Sequence, residues 1–401
     1  MGLIDDAPRK SLKRAGAEER LSPPVLMLLQ RRFRAVRPLW EDMMETLLLD
    51  RNENQYGPAP ACYKVLREAR LEQLSLYSRA YAAGIKSELS DRLSRELGIP
   101  ERHVLLSYGS EDMLKQVVHC YLHAGEMILL PRQSWWYYQA VAKEVSGRHV
   151  HYPMHERAGR FEYDVDEILR LSEEHKPRVI LIASPNNPTG NSIPQETLSA
   201  IVDRCNESVI VLDEAYAGFN GNDIDQLRAV LAARKRIVVL RTFSKYFALA
   251  GLRIGYACVG EGLEQLISFS ARYLGYNQLS EKIALAALDD VDYYAGITRE
   301  MRADHEMYLR EFRAIEGFTP FPSDANFILV RYPRSTKQAL KQGLEQRGII
   351  VKFLDDPSLE DCVRITVGTR EQNARAMAAF KDVAENVLHL NIRSASGLGA
   401  S

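Results

Sequence analysis

From residue 103 onward the chain alternates short apolar runs with longer stretches of helical periodicity. The apolar runs are HVLLSYG (103–109), EMILLP (126–131), HVHYPM (149–154), VILIASP (179–185), VIVLDEAY (209–216), RIVVLRTFSK (236–245) and RIGYACVG (253–260). Several are continuously apolar rather than alternating, which predicts strands buried on both faces. Most are far enough apart for a crossover helix between parallel neighbours. The last two are too close for that, so the final strand is expected to run antiparallel. The pattern predicts an α/β fold with a mainly parallel seven-stranded sheet and helices on both faces.

Outside this block the pattern changes. Residues 1–20 are charged and poor in apolar side chains and read as a mobile arm, whereas 21–48 carry enough Leu, Met, Phe and Trp for a packed amphipathic helix. LLLDRNENQYGPAP follows, a turn-rich loop marked by Asn52, Asn54, Gly57, Pro58 and Pro60. Residues 61–74 are helical by pattern, and a loop then leads into a helix ending at Gly98. Beyond about residue 280 a long helical region precedes three further strand candidates, NFILVRY, RGIIVKF and CVRITVG, and a closing helix from Glu371. These segments predict a smaller α+β domain. The expected division is an arm over 1–48, a discontinuous small domain from 49–80 and 290–401, and a large domain over 81–289.

Composition narrows the class without naming it. With 46% hydrophobic and 26% charged residues and a formal net charge of −1, nothing favours nucleic acid or a membrane surface as partner. No apolar run approaches the roughly 18 residues of a spanning helix. The first residues have no apolar core of a signal peptide, and Asp6 stands where a myristoylation motif wants Ser or Thr. The cytoplasm is the expected location. Cys62, Cys120, Cys205, Cys258 and Cys362 are scattered without C-x-x-C spacing and read as reduced, buried hydrophobes.

The chemistry gathers where apolar runs end, because ligands of open α/β sheets bind outside the carboxyl ends of the strands. Ser244 and Lys245 follow one buried run, and Arg253 comes eight residues later. Burying an unpaired ammonium costs several kcal/mol, so Lys245 either reaches water or is converted by bonding to an aldehyde cofactor. Gly109, Ser110 and Glu111 stand where a strand hands over to a helix, whose N-terminus suits a phosphate. Ser110 also reads as an ordinary N-cap. ASPNNPTGN places Asn187 in a tight turn after a strand, able to donate to a ring oxygen. Asp213 ends four apolar residues; burial raises a carboxyl pKa unless a cation or donors meet it. Tyr216 lies three residues on. Trp135 or Trp136 can stack on a flat ring, with core packing as the alternative. Arg364 lies inside a strand, where its fork matches a carboxylate. His119 and His123 are four apart, but HCYLH is not the H-E-x-x-H zinc pattern.

SPNNPTG, DEAY, SKYFALAGLRIG and RITVGT, in this order and spacing, resemble the fold-type-I pyridoxal-phosphate aminotransferases, class I/II. Within these the chain is most similar to the histidinol-phosphate aminotransferase family. The likeness runs from about Leu49 to about residue 385. It implies pyridoxal 5'-phosphate as cofactor, with Lys245 bonded to its aldehyde and moving a proton between the substrate α-carbon and the cofactor. Asp213 would keep the pyridine nitrogen protonated, and Asn187 and Tyr216 would bind the ring hydroxyl. Trp135 would stack on the ring where relatives usually have a tyrosine. Gly109, Ser110, Glu111, Ser244 and Arg253 would surround the phosphate. Tyr77 would reach the cofactor phosphate of a neighbouring subunit, implying a homodimer. Arg364 would bind the substrate carboxylate or its counterpart, with Asn54, Tyr56 and Tyr276 near the substrate. Lys352 stands where histidinol-phosphate enzymes commonly carry an arginine that grips the substrate phosphate, and Leu279 replaces an asparagine.

The resemblance implies transfer of an amino group between a small amino donor (an amino acid or a histidinol-phosphate-like amino-alcohol phosphate) and a 2-oxo acid such as 2-oxoglutarate. Decarboxylation or cyclisation of a specialised amino acid uses the same residues and is the second expectation. A non-catalytic cofactor-binding regulator is the third, and needs a DNA-binding module; the N-terminal arm has basic residues but no clear helix-turn-helix pattern.

Overall fold

The computed structural model describes residues 46–78, 87–221, 227–228, 231, 236–272 and 274–393. The expected arm and most of the expected helix over 21–48 lie outside these. Both large sheets with their helices lie within the unit that begins at Leu47.

In chain order the strands are β1 (Leu47–Leu49), β2 (Val104–Ser107), β3 (Met127–Pro131), β4 (Arg148–Tyr152), β5 (Met154–Arg157), β6 (Arg160–Tyr163) and β7 (Val179–Ala183). They continue as β8 (Val209–Asp213), β9 (Ile237–Thr242), β10 (Gly255–Val259), β11 (Thr319–Phe321), β12 (Phe327–Arg331), β13 (Ile349–Phe353) and β14 (Cys362–Thr366). Seven of them form one sheet in the order β2-β10-β9-β8-β7-β3-β4. All of its pairings are parallel except those of β10, which runs antiparallel to both neighbours.

The continuous apolar runs have a direct cause. In β7, Ile180 and Ile182 enter one core while Val179, Leu181 and Ala183 enter another; β8 and β9 split in the same way. Both faces are covered, so every position must be apolar. Helix Ser110–Tyr121 covers one face with Met113, Leu114, Val117 and Val118. Helices Glu88–Leu97, Val165–His175 and Gln195–Arg204 cover the other. Each fully buried Leu, Ile or Val contributes about 1.5–3 kcal/mol.

A five-stranded sheet, β1-β13-β14-β12-β11, makes up the second layer of strands. Its side chains Phe327, Leu329, Val363 and Ile365 join the core under the first sheet. The long helical region is two helices, Gln278–Asp289 and Val291–Ala314, and the closing helix is Arg370–Asn386.

Four expectations are corrected. Leu47 and Leu48 belong to a strand paired in parallel with β13, not to a helix. The run 149–154 is not one strand: Pro153 separates β4 from β5, which turns back as a hairpin with β6. The helical stretch 61–74 is two helices, Pro60–Arg67 and Leu71–Ser75. Ser110 is the first helical residue rather than the N-cap, which is Gly109 at φ +87° with no capping side chain.

Candidate active site

The parallel strands deliver their carboxyl ends to one edge of the large sheet. Asp213 closes β8 in register with Ala183 of β7 and Leu240 of β9. Thr242, two residues before Ser244, is in register with Gly255, which also faces Ser107 of β2. Strands are spaced by about 4.8 Å, so these ends fall along one short row, and the start of antiparallel β10 joins them.

At one end of the row the backbone of Gly109 and Ser110 crosses closely over Gly255. A Cβ on Gly255 would lie 2.8 Å from the Ser110 nitrogen and 2.9 Å from the Arg241 oxygen. Arg253, in the left-handed region at φ 51°, turns its guanidinium onto the same backbone. Its Nη2 donates to the Tyr108 carbonyl at 3.5 Å and lies 3.8 Å from Glu111 Oε2. Ser244 is buried, and its Oγ accepts from Thr242 at 2.9 Å. Amides of an uncapped helix start, a hydroxyl and a half-exposed guanidinium make a compact anion cradle.

At the middle of the row Asp213 is buried. Tyr138 donates to its Oδ2 at 2.8 Å and the Ala215 N–H to Oδ1 at 3.0 Å. Burial raises its pKa above the ordinary carboxylate value, and the two donors only partly offset this. Trp135 is half-buried and edge-on to the Tyr138 ring at 5.6 Å, whereas Trp136 is 72% exposed. Of the two tryptophans, Trp135 is therefore the one beside the carboxylate.

Lys245 Nζ donates to the Arg51 carbonyl at 2.8 Å and lies 5.7 Å from the Tyr216 ring centroid. Tyr216 accepts from Asn52 Nδ2 at 2.9 Å. Arg364 is 8% exposed; it donates to Asn187 Oδ1 and, at 2.5 Å, to the Asp50 carbonyl. Its buried Nε has no partner, and burial lowers its pKa from the arginine value. Lys352 is exposed and stands in register with Arg364 across β13 and β14.

The remaining expected residues are more dispersed. Asn54 is buried, donating to the Tyr246 carbonyl at 2.9 Å. Tyr56 buries its hydroxyl without a partner, and burial, with Asp304 and Glu300, pushes its pKa to about 12. Tyr276 donates to the Leu106 carbonyl and packs on Tyr108 at 5.5 Å. Tyr77 is 70% exposed. His119 pairs with Glu144 at 3.2 Å, and no cluster of metal-ligating residues occurs among the described residues.

Sequence reasoning passed over two contributors. Tyr138 looked like part of an aromatic run; its signal is the spacing of three from Trp135 at a helix start. Asn52 looked like a turn marker, yet it is 1% exposed and sits at φ 55°.

A family model, aminotransferase class I and II, matches residues 45–380. The chain belongs to that family. The aminotransferase is 31% identical over 339 residues to the histidinol-phosphate aminotransferase of Roseiflexus castenholzii, covering 84% of this chain and 89% of that protein. It is also 31% identical to the enzyme of that name from Ruminiclostridium cellulolyticum over 329 residues, covering 81% and 89%. Among solved structures, the histidinol-phosphate aminotransferase of Sinorhizobium meliloti in complex with pyridoxal-5'-phosphate superposes with a TM-score of 0.76 at 24% identity, covering 92% of this chain and 99% of that one. The aminotransferase therefore has the fold-type-I architecture and depends on pyridoxal phosphate. Its residues fit that group. A Cβ on Gly109 would meet Arg253 Nη2 at 2.8 Å, so the cradle needs glycine, and a buried carboxylate with raised pKa suits a protonated ring nitrogen.

Proposed function

We propose that this aminotransferase moves an amino group from a donor carrying a second, anionic end to a 2-oxo acid such as 2-oxoglutarate. A histidinol-phosphate-like amino-alcohol phosphate or a small acidic amino acid is the donor class. The observation that carries this is the Arg364–Lys352 pair, two cations in register on neighbouring strands, one buried with a spare Nε and one open to solvent. Two positive charges at one end of a site select a carboxylate or phosphate.

Bound pyridoxal phosphate supplies an aldehyde that bonds amines covalently and a ring that accepts electron density from the substrate α-carbon. Gly109, Ser110, Glu111, Ser244 and Arg253 surround its phosphate. Trp135 packs on its ring, Asp213 holds its ring nitrogen protonated, and Asn187 and Tyr216 face its ring hydroxyl. Lys245 would be the amine that holds its aldehyde, and as a free amine its Nζ would take the proton from the substrate α-carbon and deliver it to the cofactor's aldehyde carbon. Asn54, Tyr56 and Tyr276 border the substrate.

We further assign the large cofactor-binding domain to 81–289 and the small one to 49–80 with 290–401, extended back to Leu47 by β1 of its sheet, a division supported by the two separate sheets. A homodimer, with Tyr77 reaching the partner's cofactor phosphate, is supported by the exposed Leu71, Leu74 and Tyr77. The five buried, unpaired cysteines suit the cytoplasm.

The test is a panel of amino donors with 2-oxoglutarate, read by glutamate formed. Donors with a phosphate or carboxylate at the far end should dominate, and Lys352→Met should raise their KM about two- to fivefold with little change in kcat, the loss expected of one exposed charge contact. Equal turnover of neutral donors would contradict the assignment. Carbon dioxide release without consumption of the 2-oxo acid would replace it with a decarboxylase.

A further inference from the structure

Asn52 joins the two sheets at the Tyr216 hydroxyl. Its backbone N–H donates to Thr366 Oγ1 of β14 at 3.0 Å, and its carbonyl accepts from Asn326 Nδ2 at 3.0 Å. Both partners belong to the five-stranded sheet or its edge. Its side chain crosses to Tyr216, three residues beyond the end of β8 in the large sheet.

The bonds also decide which way each hydrogen points. Thr366 Oγ1 already accepts from the Asn52 N–H, so its own hydrogen goes to Asn52 Oδ1, 3.4 Å away. That leaves the amide nitrogen to face Tyr216, where it donates at 2.9 Å. A phenol oxygen that accepts from an amide keeps its own hydrogen for another acceptor. Among the described residues no acceptor takes it, although Tyr216 is only 7% exposed. A buried hydroxyl hydrogen without a partner is costly unless a ligand supplies one.

We infer that Asn52 is a positioning residue that holds Tyr216 as a hydrogen-bond donor towards the ring oxygen of the cofactor. The inference rests on the assignment of Tyr216 to that oxygen. Donation into the Tyr216 oxygen polarises its O–H bond and strengthens the next bond in the chain. The φ of 55° is one that asparagine tolerates better than most side chains. The same residue is anchored by Thr366 and Asn326, so the polarity of Tyr216 depends on the five-stranded sheet being docked against Asn52.

The experiment uses full-length protein loaded with pyridoxal phosphate and follows the visible absorption of the cofactor against pH. A donor to the ring oxygen stabilises its anionic form, so losing that donor raises the pH midpoint of the absorption change. Tyr216→Phe should raise the midpoint by about one pH unit, the size expected of one bond to a charged group. Asn52→Asp turns the amide donor into an acceptor that claims the Tyr216 hydrogen, and should raise it by a similar amount. Asn52→Gly keeps the backbone bonds and tolerates the positive φ; it should raise the midpoint by about a tenth to a third as much. Melting curves of the unloaded proteins check folding. If Tyr216→Phe moves the midpoint and Asn52→Gly leaves it at the wild-type value, the inference is overturned, even where the new charge in Asn52→Asp shifts it. If Tyr216→Phe itself has no effect, the assignment of Tyr216 fails first and takes the inference with it.

Discussion

Tyr138 donates its hydroxyl to Oδ2 of Asp213 across 2.8 Å, and Trp135 stands edge-on to the ring of the same tyrosine. One residue thus touches both the group placed under the cofactor ring and the carboxylate placed at its nitrogen. Asp213 is buried and already prefers to be protonated more than an ordinary carboxyl does, with Tyr138 the first of the effects that oppose this. Removing that donor raises the pKa further, so the ionised carboxylate disappears at a higher pH. Tyr138→Phe should therefore move the acid limb of the kcat/KM profile to higher pH, with a loss of activity that grows as pH falls. Profiles of the two proteins that superimpose would show that the hydroxyl does not support the carboxylate.

The proposed phosphate cradle makes a separate demand at Gly109. Its φ of +87° disfavours any side chain, and a Cβ would sit 2.8 Å from Arg253 Nη2. Gly109→Ala must push the guanidinium away from the helix start. Titration of the cofactor-free protein with pyridoxal phosphate should give a Kd at least about tenfold weaker, the loss of one charge-assisted contact. An unchanged Kd would mean that Arg253 does not hold the phosphate.

A stability test lies outside the site. Glu281, on helix Gln278–Asp289, packs at the start of helix Glu88–Leu97, where Ser87 and the Leu89 N–H meet it. Burial, opposed by those bonds, lifts its pKa from 4.5 to about 7. A carboxyl whose folded pKa is raised adds stability that is full below its unfolded pKa and is lost as pH rises through the folded one. The window is about pH 4.5 to 7, and the shift corresponds to on the order of 3 kcal/mol. Glu281→Gln should thus gain on wild type as pH rises from 5 to 8, read as a growing difference in unfolding midpoint. A difference that stays constant would place the titration elsewhere.

Much of the fold was legible because its physics is local. β7, β8 and β9 read as buried strands since both of their faces meet helices, and β10 read as antiparallel from the short connection before it. β1 was not legible: Leu47–Leu49 extends from a leucine-rich stretch, and only pairing with Ile349–Val351, some three hundred residues away, makes it a strand. The site divided along the same line. Asp213, Lys245 and the Gly109-Ser110 pair were picked out by their place at the ends of apolar runs. Asn52 and Tyr138 did not, because an asparagine in a turn and a tyrosine in an aromatic run are ordinary until tertiary contacts aim them. Tyr56, expected near the substrate only from the family resemblance, buries its hydroxyl without a partner, and burial, followed by the charges of Asp304 and Glu300 on helix Val291–Ala314, raises its pKa.

Every role assigned around the cofactor depends on Lys245 being the amine that bonds to it. Borohydride reduction of the loaded enzyme, followed by proteolysis and mass spectrometry, tests this most directly. The peptide containing Lys245 should carry the reduced pyridoxyl mass, and Lys245→Ala should carry none anywhere. An adduct found on another lysine, or a wild-type Lys245 peptide that stays unmodified, would contradict it.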